Sequence, residues 1–125
     1  MGVRFMATND MRELFNDILS MQGVKGVMIF AFAGDLVFQQ FNHEPAEDPR
    51  TRDWSLFIES LAGNRETDLV FEKGRLYIRR TDIGYLVVLM GLFVPISMVR
   101  LNCDIVLPAL KPAKPSKGIR RFFKK

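Results

Sequence analysis

Residues 67–90 read TDLVFEKGRLYIRRTDIGYLVVLM, three short β-type runs separated by two turn signals. Thr67–Glu72 reaches Lys73-Gly74 and returns as Arg75–Arg80, and Asp82–Gly84 leads on into Tyr85–Met90. Runs joined this tightly pair as antiparallel neighbours, because a parallel crossover needs a dozen or more residues. Tyr85–Met90 is apolar throughout, the pattern of a strand buried on both faces in the middle of a sheet. Thr67–Glu72 is short and charged near both ends, which suits an edge.

Toward the N-terminus the arrangement repeats. VKGVMIFAFA (24–33), Gly34-Asp35 and LVFQQF (36–41) predict a second hairpin, with Gly34 at positive φ in a two-residue turn and Val27–Ala33 as another central strand. Ahead of it, Met11, Leu14, Phe15, Ile18 and Leu19 form one helical stripe across Asp10–Gln22. Asn9 or Asp10 caps this helix, Glu13 completes a capping box, and Gly23 closes it. Asn42–Asp53 is polar, contains Pro45 and Pro49, and reads as a loop. A helix follows over about Arg52–Ala62, with Trp54, Phe57, Ile58 and Leu61 on one stripe, Leu56 off it, Thr51 or Asp53 as cap and Gly63 at its end. The last helix starts near Pro95, turns Ile96, Val99, Cys103, Val106 and Leu110 inward and Arg100, Asn102 and Asp104 outward, and stops at Pro108. The predicted order is α-β-β-α-β-β-β-α, an α+β fold with a five-stranded antiparallel sheet and helices on both faces.

At 125 residues the chain has the size of one domain. The net charge of +4 is unevenly spread: residues 111–125, KPAKPSKGIRRFFKK, hold seven Lys/Arg and no acid. Residues 1–110 carry eleven basic and fourteen acidic side chains, a net charge of −3. The expected division is therefore a folded domain over 1–110 and a basic, flexible tail over 111–125. No secretory signal is expected, since Arg4, Asp10, Arg12, Glu13 and Asp17 interrupt the first twenty residues. The uncharged run Ile83–Val99 is shorter than a bilayer span and is broken by Gly84, Gly91 and Pro95, so it reads as strand, turn and helix start.

Catalytic signatures are missing from the sequence. There is no G-x-G-x-x-G, no G-x-x-x-x-G-K-[ST] and no G-x-S-x-G. One cysteine, Cys103, and one histidine, His43, furnish neither a disulfide nor a metal cluster, and Cys103 on the apolar stripe reads as a buried thiol. Glu44, Glu47 and Asp48 beside Arg50 and Arg52 read as a solvated surface. The expectation is a non-enzymatic binding module without metal or cofactor.

Two surfaces suggest partners. The Thr67–Glu72 edge invites strand pairing with a second copy, with Leu69 and Phe71 on one face, Val70 on the other, and Trp54, Leu56, Phe57 and Leu61 just upstream. The tail residues Lys117, Arg120, Arg121, Phe122, Phe123, Lys124 and Lys125 suit an anionic membrane or acidic partner. Nucleic acid is the least favoured occupant of that tail.

GVKGVMIFAFAGDLVFQQF, DLVFEKGRLYIRRTDIGYLVVLMG and PISMVRLNCDIVLPAL, in this order of elements, resemble the Roadblock/dynein light chain family over about residues 8–110. The resemblance implies a profilin- or longin-like fold and a homodimer, or a heterodimer with a paralogue, in which the second helices pair and the third strands join two sheets. It also implies a platform or regulator for a small Ras-like GTPase. By similarity the dimer surface falls on Trp54, Phe57, Leu61, Leu69, Val70 and Phe71, and the GTPase on Arg52, Leu56 and Glu59. Two departures stand out: Ala33-Gly34-Asp35 where many members have an Asp-rich turn, and the Lys/Arg/Phe tail. The alternative expectation is a profilin-like ligand sensor or membrane-tethered scaffold acting through that tail. Either way the expected location is cytoplasmic, peripheral at the membrane if the tail engages lipid.

Overall fold

The computed structural model describes residues 8–43, 45 and 52–110. Glu44, Glu47, Asp48 and all the named tail residues lie outside them. The elements are α1 (Thr8–Leu14), α2 (Asn16–Leu19), β1 (Val24–Phe30), β2 (Leu36–Phe41), α3 (Ser55–Ser60), β3 (Glu66–Val70), β4 (Arg75–Arg80), β5 (Tyr85–Met90) and α4 (Ile96–Val106), closed by a 3-10 turn at Leu107–Ala109. The strands form one antiparallel sheet in the order β2-β1-β5-β4-β3. The two most apolar strands, β1 (from Val27 on) and β5, lie side by side at its centre, where both faces are covered and period-two alternation brings no gain.

One face is covered by α1, α2 and α4 over Phe15, Ile18, Val27, Ile29, Leu86, Val88, Val99 and Cys103. The other is covered, among the described residues, by α3 over Met28, Phe30, Ile58, Leu61, Ile78, Tyr85 and Val87. The expected α+β sheet with helices on both faces is what the chain adopts, and the uncharged run Ile83–Val99 resolves into β5, a turn and the start of α4. No helix among the described residues is long and apolar enough to cross a membrane.

Local details differ from expectation. The first helix breaks at Phe15 (φ −95°, ψ 6°), which is fully buried and packs against Phe38 at 5.6 Å. The β1–β2 connection is five residues, not two: the Ala31 N–H donates to the Asp35 carbonyl and the Gly34 N–H to the Ala31 carbonyl. Gly34 does sit at φ +105°, and a Cβ there would lie 2.6 Å from Ser55 Cα, so the loop is shaped by close approach to the start of α3. That helix is six residues rather than eleven. Asp53 serves its first turn, accepting from the Ser55 N–H at 3.0 Å and the Ser55 hydroxyl at 2.7 Å. Asn102 is half-buried rather than outward, donating to the Met98 carbonyl at 2.9 Å beside Met21.

Candidate protein-interaction surface

Among the described residues β3 pairs on one side only, with Glu66 opposite Arg79, Asp68 opposite Tyr77 and Val70 opposite Arg75. The Phe71 N–H reaches the Gly74 carbonyl (2.7 Å) and the Arg65 carbonyl receives the Arg80 N–H (2.9 Å). Odd-numbered residues of the strand therefore aim their main chain at β4, and Glu66, Asp68 and Val70 aim theirs at the open edge. Such a row of free donors and acceptors is a template for another strand. Side chains alternate across the same strand. Leu69 packs toward α3 with Leu76 and Ile78, whereas Glu66, Asp68 and Val70 share the α4 side with Tyr77, Arg79 and Arg75.

On the α4 side the edge is held by a polar network. The buried Tyr77 hydroxyl donates to Glu66 Oε2 at 2.5 Å, and Arg100 Nε donates to the same oxygen at 2.6 Å. Arg79 Nη1 lies 3.2 Å from the Tyr77 hydroxyl and 2.8 Å from Asp104 Oδ1, so α4 is tied to β4. Arg75 grips Asp68 with two N–H groups at 3.0 and 2.8 Å. Burial and the bond to Glu66 push the Tyr77 hydroxyl up to about 12, while that bond and Arg100 hold the Glu66 carboxyl below its ordinary range. The proton stays on the phenol and the charge on the carboxylate. Asn64, Arg65, Glu66, Arg79, Arg100 and Asp104 line an open polar hollow of about 480 Å³ at this end of β3. Three guanidiniums there face two carboxylates.

On the α3 side the surface is apolar. Six residues of helix cover only part of the sheet, leaving a groove of about 390 Å³ floored by Met28, Leu76 and Leu89 and walled by Phe41, Trp54 and Phe71. Leu56 is 76% exposed and Phe71 52%, while Val70, on the α4 side of the same edge, is 62% exposed. Arg52 and Glu59 are exposed on or beside the same helix. Trp54 and Phe57 are half-buried: Trp54 lies 5.0 Å from Phe30 and 5.8 Å from Phe57, ring centre to ring centre. Leu61 is a correction to the expected partner surface, since it is 3% exposed and belongs to its own core. The stripe that forms the helix is used up by its own sheet. What remains for a partner is Leu56, Val70 and Phe71, with the open sides of Trp54, Phe57 and Leu69.

Sequence reading passed over two features. The Glu66–Tyr77–Arg79–Asp104–Arg100 network left a faint signal, the arginine-rich strand RLYIRR and an Arg100/Asp104 pair one helical turn apart. The outer side of α4 exposes Met98, Leu101 and Ile105 at helical spacing, and Phe93 before it is 95% exposed.

Among the described residues, reactive groups do not converge. Cys103 is fully buried with its thiol pushed up to about 12 by desolvation. His43 is exposed, its Nδ1 2.7 Å from the Asn42 carbonyl. No three His, Cys, Asp or Glu side chains among the described residues could hold a metal ion.

No protein-family model and no curated protein matches the sequence. Solved structures do. The gliding protein MglB of Thermus thermophilus aligns over 86% of this chain and 91% of its own at 17% identity, with a TM-score of 0.68. An MglB in a tetrameric arrangement aligns over 86% and 90% at 18% identity and TM-score 0.67. A Roadblock/LC7 domain from Streptomyces avermitilis aligns over 90% and 97% at 12% identity and TM-score 0.61. The fold is therefore the Roadblock type.

Proposed function

We propose that this chain is a non-catalytic regulatory or scaffold protein that joins a second copy, or a paralogue, through β3 and α3 and presents the paired surface to a small Ras-like GTPase. The observation that carries the reading is the bare β3 edge among the described residues, with Val70 and Phe71 exposed along it. An open edge that carries exposed large apolar side chains is costly in water and stable once covered. The Roadblock-type fold and the tetrameric arrangement of one MglB structure support it. Self-association uses β3 and the open sides of Trp54 and Phe57, and the GTPase meets Leu56 and Glu59 on α3 with Arg52 just before it.

The test combines light scattering with calorimetry against a small Ras-like GTPase loaded with GDP or a non-hydrolysable GTP analogue. A dimer mass and nucleotide-dependent binding are expected. Leu56→Glu should keep the dimer and weaken the GTPase complex at least ~10-fold, since burying one leucine contributes roughly 1.5–3 kcal/mol. A monomer at micromolar concentration, or a Leu56→Glu protein that binds unchanged, would overturn the proposal.

A second reading, a scaffold tethered to anionic membrane by its tail, draws on the exposed Phe93, Met98, Leu101 and Ile105 along α4, the last helix before residues 111–125. Co-sedimentation with phosphatidylserine vesicles that vanishes on deleting 111–125 would favour it.

A further inference from the structure

α4 rests on the sheet through Val99, Cys103 and Val106 and turns Met98, Leu101 and Ile105 to solvent. At 3.6 residues per turn these three exposed side chains fall within about 60° of one another, a ridge roughly 10 Å long. On one flank Arg100 and Asp104 are engaged by Glu66 and Arg79, at 2.6 and 2.8 Å. On the other, Asn102 donates to the Met98 carbonyl and lies beside Met21. The ridge itself carries no charge, and none follows in the sequence between Asp104 and Lys111.

The chain that follows α4 selects the occupant of this ridge. Leu110 is buried with Val99 and Val106 in the core beneath α4, so residues 111–125 leave the domain from the α4 side of the sheet. They carry seven Lys/Arg, no acid, and the pair Phe122-Phe123. Such a concentration of positive charge suits a strongly anionic surface. Three side chains are few for a stable contact with another protein, which buries about 800 Å² on each partner, whereas lipid chains close around a shallow ridge of any outline. Each signal is weak alone: a small apolar surface binds a bilayer reversibly, and charge attraction is screened by salt. Side by side they supply the two signals that stable peripheral attachment takes.

We infer that the α4 side of the domain docks on an anionic bilayer, with Met98, Leu101 and Ile105 entering the boundary between headgroups and acyl chains and the basic residues of 111–125 held against the headgroups beside them. The inference deepens the tethered-scaffold reading above and rests on it, adding the face that meets the lipid. α3 lies on the opposite face of the sheet, so Leu56, Glu59 and the apolar groove stay turned away from the bilayer. Attachment to lipid and presentation to a protein partner then use different faces of one sheet and do not compete.

The experiment places a polarity-sensitive dye on either face of the full chain, through Leu101→Cys or Leu56→Cys, with Cys103 left in place because it is fully buried. Vesicles of phosphatidylserine and phosphatidylcholine are added, some carrying lipids spin-labelled high on the acyl chain. The dye at 101 should shift to the blue and be quenched, and the dye at 56 should do neither. Vesicles of phosphatidylcholine alone should bind at least ~10-fold more weakly, since the headgroup charge that attracts the tail is gone. Leu101→Glu combined with Ile105→Glu should weaken co-sedimentation with the mixed vesicles at least ~10-fold while leaving thermal unfolding unchanged, both positions being exposed. The dye measurement stands independently of that variant's folding. A full chain that binds the vesicles while the dye at 101 stays in water, or while the double variant binds unchanged, overturns the docking face and leaves the tail tether standing. A blue-shifted dye at 101 before any vesicle is added means that protein, the tail or a second copy, already covers the ridge, and overturns the inference. A full chain that does not bind the mixed vesicles at all overturns the tether and the docking face together.

Discussion

Tyr77→Phe tests whether the network between β3 and α4 holds the edge in place. The substitution keeps the ring, which is fully buried, and removes one oxygen. That oxygen donates to Glu66 and accepts from Arg79, whose side chain is itself 6% exposed. Hydrogen bonds to charged partners contribute roughly 1.5–3 kcal/mol each, and a buried charge left short of a partner costs in the same range. Two such bonds are lost, but Arg79 keeps Asp104 and Glu66 keeps Arg100, so the net cost should fall near 2 kcal/mol. In a domain of this size that lowers Tm by about 8–10 °C. Urea and thermal unfolding at fixed protein concentration measure it, the concentration being held because dimerisation would add to apparent stability. The pH dependence adds a signature that lost packing could not imitate. Tyr77 keeps its proton up to about 12 in the folded state, against 10.0 ordinarily, so its contribution is intact below pH 10 and is lost as pH rises toward 12. Glu66 titrates below its ordinary 4.5, so its contribution is present above that value and disappears as pH falls through the lower folded value. Tyr77→Phe should flatten the alkaline limb and move the acid limb up in pH. A change below ~0.5 kcal/mol with both limbs unaltered would refute the network as a stabilising element.

Two further predictions concern the frame. Gly84 has φ +149°, and a Cβ there would meet the Phe30 carbonyl oxygen at 1.8 Å, whereas at Gly63 (φ +72°) nothing lies within 4 Å. Gly84→Ala should cost more than ~3 kcal/mol or prevent folding, and Gly63→Ala about 1 kcal/mol, the difference read by thermal unfolding. Cys103, buried with a thiol at about 12, should resist Ellman's reagent at pH 8 and react in full on denaturation. Rapid labelling of the folded protein would contradict its place in the core.

The strand pattern was legible because apolar runs and turn residues are local signals. Val27–Ala33 and Tyr85–Met90 announced two central strands, and the short, charged Thr67–Glu72 announced an edge. The α4 stripe Val99, Cys103 and Val106 went inward as its spacing requires. Leu61 shows where that logic stops. Its periodicity marks it as apolar and inward, yet a family likeness placed it at a partner surface. The six-residue α3 lets its inner stripe rest on Phe30, Ile78 and Tyr85, so only Leu56 on the outer side stays exposed.

By itself, then, the sequence determined which segments become strands and helices, which strands lie central, and that no catalytic motif is present. Those properties follow from neighbours a few residues apart. Tertiary structure alone decided that β5 returns beside β1, that Glu66 and Arg100, thirty-four positions apart, share a hydrogen bond, and which backbone groups of β3 remain open. Such pairings depend on the packing of the whole sheet, which sets the register, and a one-residue slip in that register would reverse every side chain on the edge.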